Sequence, residues 1–390
     1  MKLQDGSLYF DCNATTPEAP EVAAACALAA REGFANPSSP HAAGRRALAL
    51  LEEGRAGVAA LVGCSPAEVV FTGSATEANH LALLSAARGR PGRRRVVLSG
   101  IEHPSVRGAA ERLEEEGFHV AEAPVRPEGT VDLEALAALL DEEVAAVSVL
   151  TAHNETGVLQ PVAAVGALCR ATGCLFHTDA VQAAGKVASP WAEARPDYLS
   201  LAGHKLFGPK GIGALVVREG APVTPWLRGG GQEGGRRAST EAVPLAYGFG
   251  VACRLAATRL PGAAALAALR DRFEAGSLAP RGAVIFGKEA PRLPNTSFFA
   301  LPGVDGAALA AALDARGMAV GTGSACHTGS HSPPRVLQWM SAPLPPGGSS
   351  VRVSLGRTTS PADLAALAAA LEEAVGSLRG AHRDGHALHP

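Results

Sequence analysis

Through the first two-thirds of this chain, short β-branched runs alternate with stretches rich in alanine and leucine. Most of the chemically distinctive segments fall just past one of those runs. Residues 68–71, 95–98 and 145–150 read as buried strands, and further strands are expected at 174–177, 198–201 and 212–217. Between them, residues 133–140 and 162–171 read as helices. Strands that are apolar on both faces and separated by helices predict an α/β fold with a mostly parallel sheet covered on both sides. Such a sheet takes its ligands at the carboxyl ends of its strands, which is where the distinctive segments lie.

The pattern changes after about residue 255. A helical stretch at 255–274 leads to strands around 284–286 and 295–299, then a helix at 306–316. A long Gly/Ser/Pro segment follows, then a strand at 350–355 and a last helix at 361–377 capped by Ser360. A chain of 390 residues is too long for one small core. We therefore expect a large domain over 16–255 and a smaller α+β domain built from 1–15 and 256–390.

Charge and composition narrow the function classes. A formal net charge of −2 gives no pull toward a polyanion, and the short basic run at 93–95 reads as a solvated loop, so no nucleic-acid partner is expected. Without a run of 18 apolar residues no membrane partner is expected, and the reading is a soluble cytoplasmic protein. Seven cysteines, an odd number with no C-x-x-C pair, argue against a disulfide framework and against a zinc site, so no metal is expected.

Ala202-Gly203-His204-Lys205 closes the strand at 198–201, and Asp179 and Gln182 follow the strand before it. A lysine before a Gly/Pro turn is ordinarily a surface residue. Paired with an upstream Asp-x-x-Gln, it suggests a lysine that forms a Schiff base with pyridoxal phosphate, the aspartate keeping the ring nitrogen protonated. Ser74, Ala75 and Thr76 open a helix after a strand, where N–H groups and the helix dipole attract a phosphate. His103 and Asn154 also stand just past strands: His103 is placed to stack on a cofactor ring and shuttle a proton as a catalytic residue, and Asn154 to reach the cofactor's phenolic oxygen or a substrate carboxylate. Cys326 lies within Gly321–Pro334 among glycine, serine and threonine, whereas Cys26, Cys169 and Cys253 have apolar, helical surroundings. A thiol in such a loop suits a sulfur-transferring nucleophile, and His327 beside it could lower its pKa.

Together these segments resemble the cysteine desulfurase family, in the class V aminotransferase group of fold-type-I pyridoxal phosphate enzymes. The resemblance runs from Tyr9–Pro17 and Asn36–Ser39 through each motif above to Ser350–Thr358. The long segment around Cys326 is similar to the branch containing the nitrogenase-associated and housekeeping iron–sulfur enzymes. The resemblance implies a seven-stranded, mostly parallel sheet between helices, plus a smaller α+β domain. It also implies conversion of L-cysteine to L-alanine, with Lys205 as the Schiff-base lysine and Cys326 as the persulfide carrier.

Other roles follow from the same resemblance. Asp179 would pair with the pyridine nitrogen, Gln182 and Asn154 would bond the ring oxygen, and His103 would stack on the ring. Ala75, Thr76 and His204 would hold the phosphate, with Thr240 reaching the phosphate of a partner subunit in a homodimer. Asn13, Asn154 and Arg352 would bind the substrate, Arg352 through its carboxylate. A protein sulfur acceptor, scaffold or carrier, would take the persulfide sulfur. Several positions depart from the family pattern: Ala202 stands where serine is usual, Gly73-Ser74 is reversed, Ser239 replaces glycine, His153 replaces asparagine, and Ala242 stands where asparagine is common. A selenocysteine lyase, another C–S lyase of this group, or an inactive sulfur-carrier partner are the alternative readings.

Overall fold

The computed structural model describes residues 1–3, 5–323 and 333–386. Among them, twelve strands form two sheets. In chain order they are β1 (Leu8–Phe10), β2 (Val69–Thr72), β3 (Arg95–Ser99), β4 (His119–Ala123), β5 (Val144–Ser148) and β6 (Leu175–Asp179). There follow β7 (Tyr198–Ala202), β8 (Gly213–Val217), β9 (Val284–Ile285), β10 (Thr296–Ala300), β11 (Met318–Thr322) and β12 (Ser350–Ser354).

The larger sheet has the order β2-β8-β7-β6-β5-β3-β4. Strands β4, β3, β5, β6 and β7 pair in parallel, while β8 is antiparallel to both of its neighbours. Of the seven strands, β8 alone is reversed, so β2 again points the same way as the parallel set. The fold is therefore the expected α/β sheet. Its strands alternate between two cores, as a period of two requires. Val70, Val96, Leu98, Tyr198 and Leu215 pack on one face with Leu81, Leu84 and Val106 of the helices Ala75–Arg88 and Pro104–Glu115. Val69, Phe71, Leu199, Leu201 and Val216 pack on the other face with Leu50, Leu51 and Phe249 of the helices Ala42–Val62 and Val243–Ala257.

The smaller sheet has the order β1-β11-β12-β10-β9, with β1 and β11 parallel and the other pairs antiparallel. Its Val351, Val353, Phe299 and Leu301 pack against Leu367 and Leu371 of the last helix. Two local expectations change. Residues 255–274 are not one helix: Val243–Ala257 ends, Leu260–Gly262 makes a tight turn, and Ala263–Phe273 begins anew. Pro261, which lacks an amide proton, sits at that break. β1, β4 and β11 were not expected from the sequence; His119–Ala123 is a partly exposed edge strand without a β-branched run, and Met318–Thr322 pairs between β1 and β12 although it enters the glycine-rich segment read as a loop.

Candidate active site

The carboxyl ends of β2, β3, β5, β6 and β7 converge on a cleft of about 200 Å³, lined by Ser74, Ala75, Thr76, His103, Asn154, Asp179, Gln182, His204 and Lys205. Lys205 sits in the short turn Gly203–Lys205 that closes β7. Its Nζ donates to the backbone carbonyls of Asn13 and Ala14, both at 2.7 Å. Burial, and then the nearby Arg352 cation, push the Lys205 amine down to about 8, against an opposing pull from Asp179 and Asp11.

Asp179 ends β6 at the floor of the cleft, where only 7% of its surface is exposed. Its Oδ1 accepts from the Val181 amide at 2.9 Å and its Oδ2 from Asn79 Nδ2 at 2.8 Å. At the opening of the helix Ala75–Arg88, Ser74 caps with its hydroxyl, accepting from the Glu77 amide at 3.2 Å. The N–H groups of Ala75 and Thr76 have no acceptor within the helix, and both residues line the cleft. A side chain at residue 213 would place its Cβ 2.5 Å from the Ser74 carbonyl carbon, so only glycine lets β8 lie this close to the helix start. Ala202 brings no hydroxyl to the cleft.

His103 is exposed at the cleft and caps the helix Pro104–Glu115 with its own ring. The surrounding protein lowers its pKa, chiefly by desolvation; Asp179 opposes this and Lys205 adds to it. His204 holds Thr15 Oγ1 at 3.0 Å and is pushed down to about 4 by burial and by the adjacent Lys205. His153, in the asparagine position noted above, is a buried turn residue accepting from the amides of Glu155 and Thr156, and burial pushes it down to about 3. Ser239 has φ of +96°, a left-handed conformation that favours glycine, which accounts for the glycine usual at that position.

Three of the expected residues lie outside the cleft wall. Asn13 is buried behind it, with its Nδ2 donating to Asn154 O and Thr296 Oγ1 and its Oδ1 receiving Lys186 and Asn295. Arg352 rises from β12, with Nη2 on Asp11 Oδ1 at 2.7 Å and Nη1 on Asn154 O at 3.1 Å, while its Nε is buried without a partner. Thr240 is exposed. Cys326 lies outside the described residues.

Sequence reasoning missed Asp11, Asn79, Ser105 and Lys186. Lys186 Nζ donates to Gln182 Oε1 at 2.9 Å and to Asn13 Oδ1 at 3.1 Å. An amine that gives both amides a donor turns their NH₂ groups the other way, and Gln182 Nε2 then reaches Asn13 O at 2.8 Å. Lysines default to the surface, so residue type gave no signal of this role. Burial pushes the Lys186 amine down to about 7, with Lys205 adding to the shift.

Residues 8–367 match the model for the family described as aminotransferase class-V. A cysteine desulfurase of Rhodobacter capsulatus is 42% identical over 376 residues, covering 96% of this chain and 97% of that protein. The chain belongs to the cysteine desulfurase family of class-V aminotransferases. A second member, from Bradyrhizobium diazoefficiens, is 41% identical and covers 98% of each chain. The solved structure of a NifS-like protein superposes with a TM-score of 0.88 at 33% identity, covering 95% of this chain and 99% of that one.

The cleft fits the pyridoxal phosphate that this family implies. It offers an amine held near neutrality, a carboxylate at its floor and two free N–H groups at a helix start, which match an aldehyde, a protonated ring nitrogen and a phosphate. Among the described residues no group of three or more His, Cys, Asp or Glu side chains could hold a metal ion. Nor, among them, is any helix long and apolar enough to cross a membrane.

Proposed function

We propose that pyridoxal 5′-phosphate binds in this cleft and that the chain converts L-cysteine to L-alanine, leaving the sulfur on Cys326 as a persulfide for a protein acceptor. The observation that carries this reading is the meeting of Lys205, Asp179 and the Ala75–Thr76 helix start in one cleft. Lys205 would hold the cofactor's aldehyde, Asp179 its ring nitrogen, and Ala75, Thr76 and His204 its phosphate. Gln182 and Asn154 would bond its ring oxygen, and His103 would lie against the ring. When bound, the cofactor's conjugated ring takes up the electron pair released at the substrate's α carbon.

The chain's own residues do the rest. A Lys205 amine with a pKa of about 8 is partly neutral near pH 7 and can take the α proton and return it. Arg352 binds the substrate carboxylate, and Asn13 holds Asn154 beside it through the Asn154 carbonyl. The Cys326 thiolate attacks the substrate sulfur; an S–S bond forms as the C–S bond breaks, and the bonding pair stays with the carbon skeleton that leaves as alanine.

A homodimer completes the reading, with Thr240 serving the partner's phosphate site. Phe34 and Trp226 support it, being 77% and 48% exposed, large apolar surface for a chain on its own. The domain division at 16–255 against 1–15 and 256–390 is part of the same proposal.

The test is incubation with L-cysteine, quantifying alanine and mapping added sulfur by mass spectrometry. We expect one extra sulfur on the Cys326 peptide, and Cys326→Ala to lose alanine formation while keeping cofactor absorbance. Undiminished alanine and free sulfide from Cys326→Ala would replace the desulfurase reading with a lyase one. Borohydride reduction of the holoenzyme should fix the pyridoxyl group on Lys205; a label on another lysine would overturn that assignment.

A further inference from the structure

A chain of hydrogen bonds runs from the floor of the cleft to His103, and its polarity is fixed at both ends. Asp179, as a carboxylate, can only accept, so Asn79 must turn its NH₂ toward it; the distance is 2.8 Å. The second N–H of that group donates to Ser105 Oγ, also at 2.8 Å. Ser105 Oγ stands 2.7 Å from His103 Nδ1. The other end is fixed by the backbone: the Ser105 amide, which can only donate, points at the same Nδ1 from 3.1 Å. With that amide aimed at it, Nδ1 has no room for a proton of its own, and the Ser105 hydroxyl, already accepting from Asn79, donates its hydrogen to Nδ1.

The geometry points to Ser105 as a positioning residue that locks His103 as the neutral tautomer carrying its proton on Nε2. The inference rests on the proposed place of His103 against the cofactor or substrate. Three features act in the same direction. The ring caps the N-terminus of a twelve-residue helix, where the partial positive charge opposes a cation. Two donors already occupy Nδ1, and an imidazolium would have to displace both. Of the titratable groups around the ring among the described residues, Lys205 also disfavours the cation and Asp179 alone favours it, while His153 is neutral well below pH 7.

The consequence concerns the kind of chemistry His103 can do. A neutral imidazole is a hydrogen-bond donor through Nε2, not a stored proton. On this reading the α proton stays with Lys205, and His103 offers Nε2–H as a fixed donor to whatever develops negative charge in the cleft. The arrangement also ties the ring's orientation to Asp179 through only two intervening side chains. Change at the carboxylate is therefore felt at the histidine.

The test is a long-range ¹H–¹⁵N spectrum of the holoenzyme labelled at histidine, with the His103 signals assigned by their loss in His103→Gln. We expect a protonated Nε2 and an unprotonated Nδ1 at pH 7.5, with a titration midpoint below that of free histidine. Ser105→Ala should raise the midpoint by about half a unit to one unit, a three- to tenfold gain in proton affinity. Ser105→Thr, which keeps the hydroxyl, should return it to the wild-type value and serves if the alanine variant does not fold. A proton on Nδ1 in the wild type would overturn the proposal, as would a Ser105→Ala midpoint equal to wild type. Failure of the underlying reading looks different: the tautomer would be as stated, yet His103→Gln would form alanine at the wild-type rate.

Discussion

The two sheets carry polar groups in opposite ways. Along β2, β3, β5, β6 and β7 the strand bodies are largely apolar, and the groups facing ligand appear at the last residue or just beyond: Ala75, His103, Asn154, Asp179 and Lys205. In the smaller sheet one face mixes the two kinds. Thr296, Arg352 and Ser354 point toward Asp11 and Asn13 beside Phe298 and Ala300, which belong to a core of their own, while Val351, Val353 and Phe299 fill a core on the other face. The first sheet separates stability from chemistry along each strand, and the second sets them side by side on one face. A substitution at a strand end of the larger sheet should therefore cost activity with little stability, whereas one among the polar residues of the smaller sheet should cost both.

Lys205→Ala gives the largest expected effect on this comparison. Alanine formation should fall by about a thousandfold or more, since the proposed proton-transfer group is lost. The unfolding free energy of the cofactor-free protein should stay within about 0.5 kcal/mol of wild type or rise, because an amine held partly out of water is removed. A collapse in stability would break the separation proposed for the larger sheet.

Asp11→Ala should do what Lys205→Ala does not. It strips the carboxylate from Arg352, whose side chain is 8% exposed against 21% for Asp11. Breaking a fully buried pair costs about 3–5 kcal/mol, and with Asp11 partly wet we expect about 2–3 kcal/mol in urea unfolding. KM for cysteine should also change, because Arg352 loses its orienting partner. Full stability with altered KM alone would place Asp11 with the strand-end residues.

Glu102 probes the larger sheet by pH. Burial pushes its carboxyl up to about 8, against hydrogen bonds from Ser99 Oγ and the Leu150 amide and with a further push from Asp179. The folded state thus holds a proton that the unfolded chain releases above its ordinary value of about 4.5. The stabilising contribution is complete below that value and is lost as pH rises through about 8, at up to about 1.4 kcal/mol per pH unit. Glu102→Gln keeps the acceptor for both donors and cannot ionise. Its stability advantage over wild type should grow between pH 5 and 8; a constant difference across that range would show that Glu102 titrates normally.

Ser239 lies outside both sheets and gives the smallest effect. Its left-handed backbone costs about 1 kcal/mol in a residue with a Cβ, so Ser239→Gly should raise stability by at most that amount. A loss on substitution would mean that the serine side chain contributes more than its backbone strain removes.

Much of the fold and most of the cleft wall were legible because the signals are local. A strand that ends in Asp179, or a capped helix opening at Ala75, announces itself by its neighbours in sequence. What was illegible depends on partners far along the chain. Asp11 meets Arg352 across 341 residues, and Lys186 meets Asn13 across 173. Nothing in either residue type marks it as buried and paired. The break at Leu260–Gly262 was hidden for a different reason: alanine-rich stretches on both sides carry the same helical bias, so composition does not reveal where one helix stops.

The segment from β1 to Thr16 joins these distant pieces. Asp11 touches β12, the Asn13 carbonyl receives Gln182 and Lys205, and Thr16 Oγ1 donates to the His204 carbonyl. It is a single strand of chain sewn to both sheets, with the Lys205 amine resting on its backbone. Any displacement of the smaller sheet would pull this strip along and lift the acceptors away from Lys205. Mechanically, the amine is tethered to the N-terminal stretch as firmly as to its own loop. Substitutions among residues 8–16, remote in sequence from every catalytic group, should therefore be read as active-site substitutions.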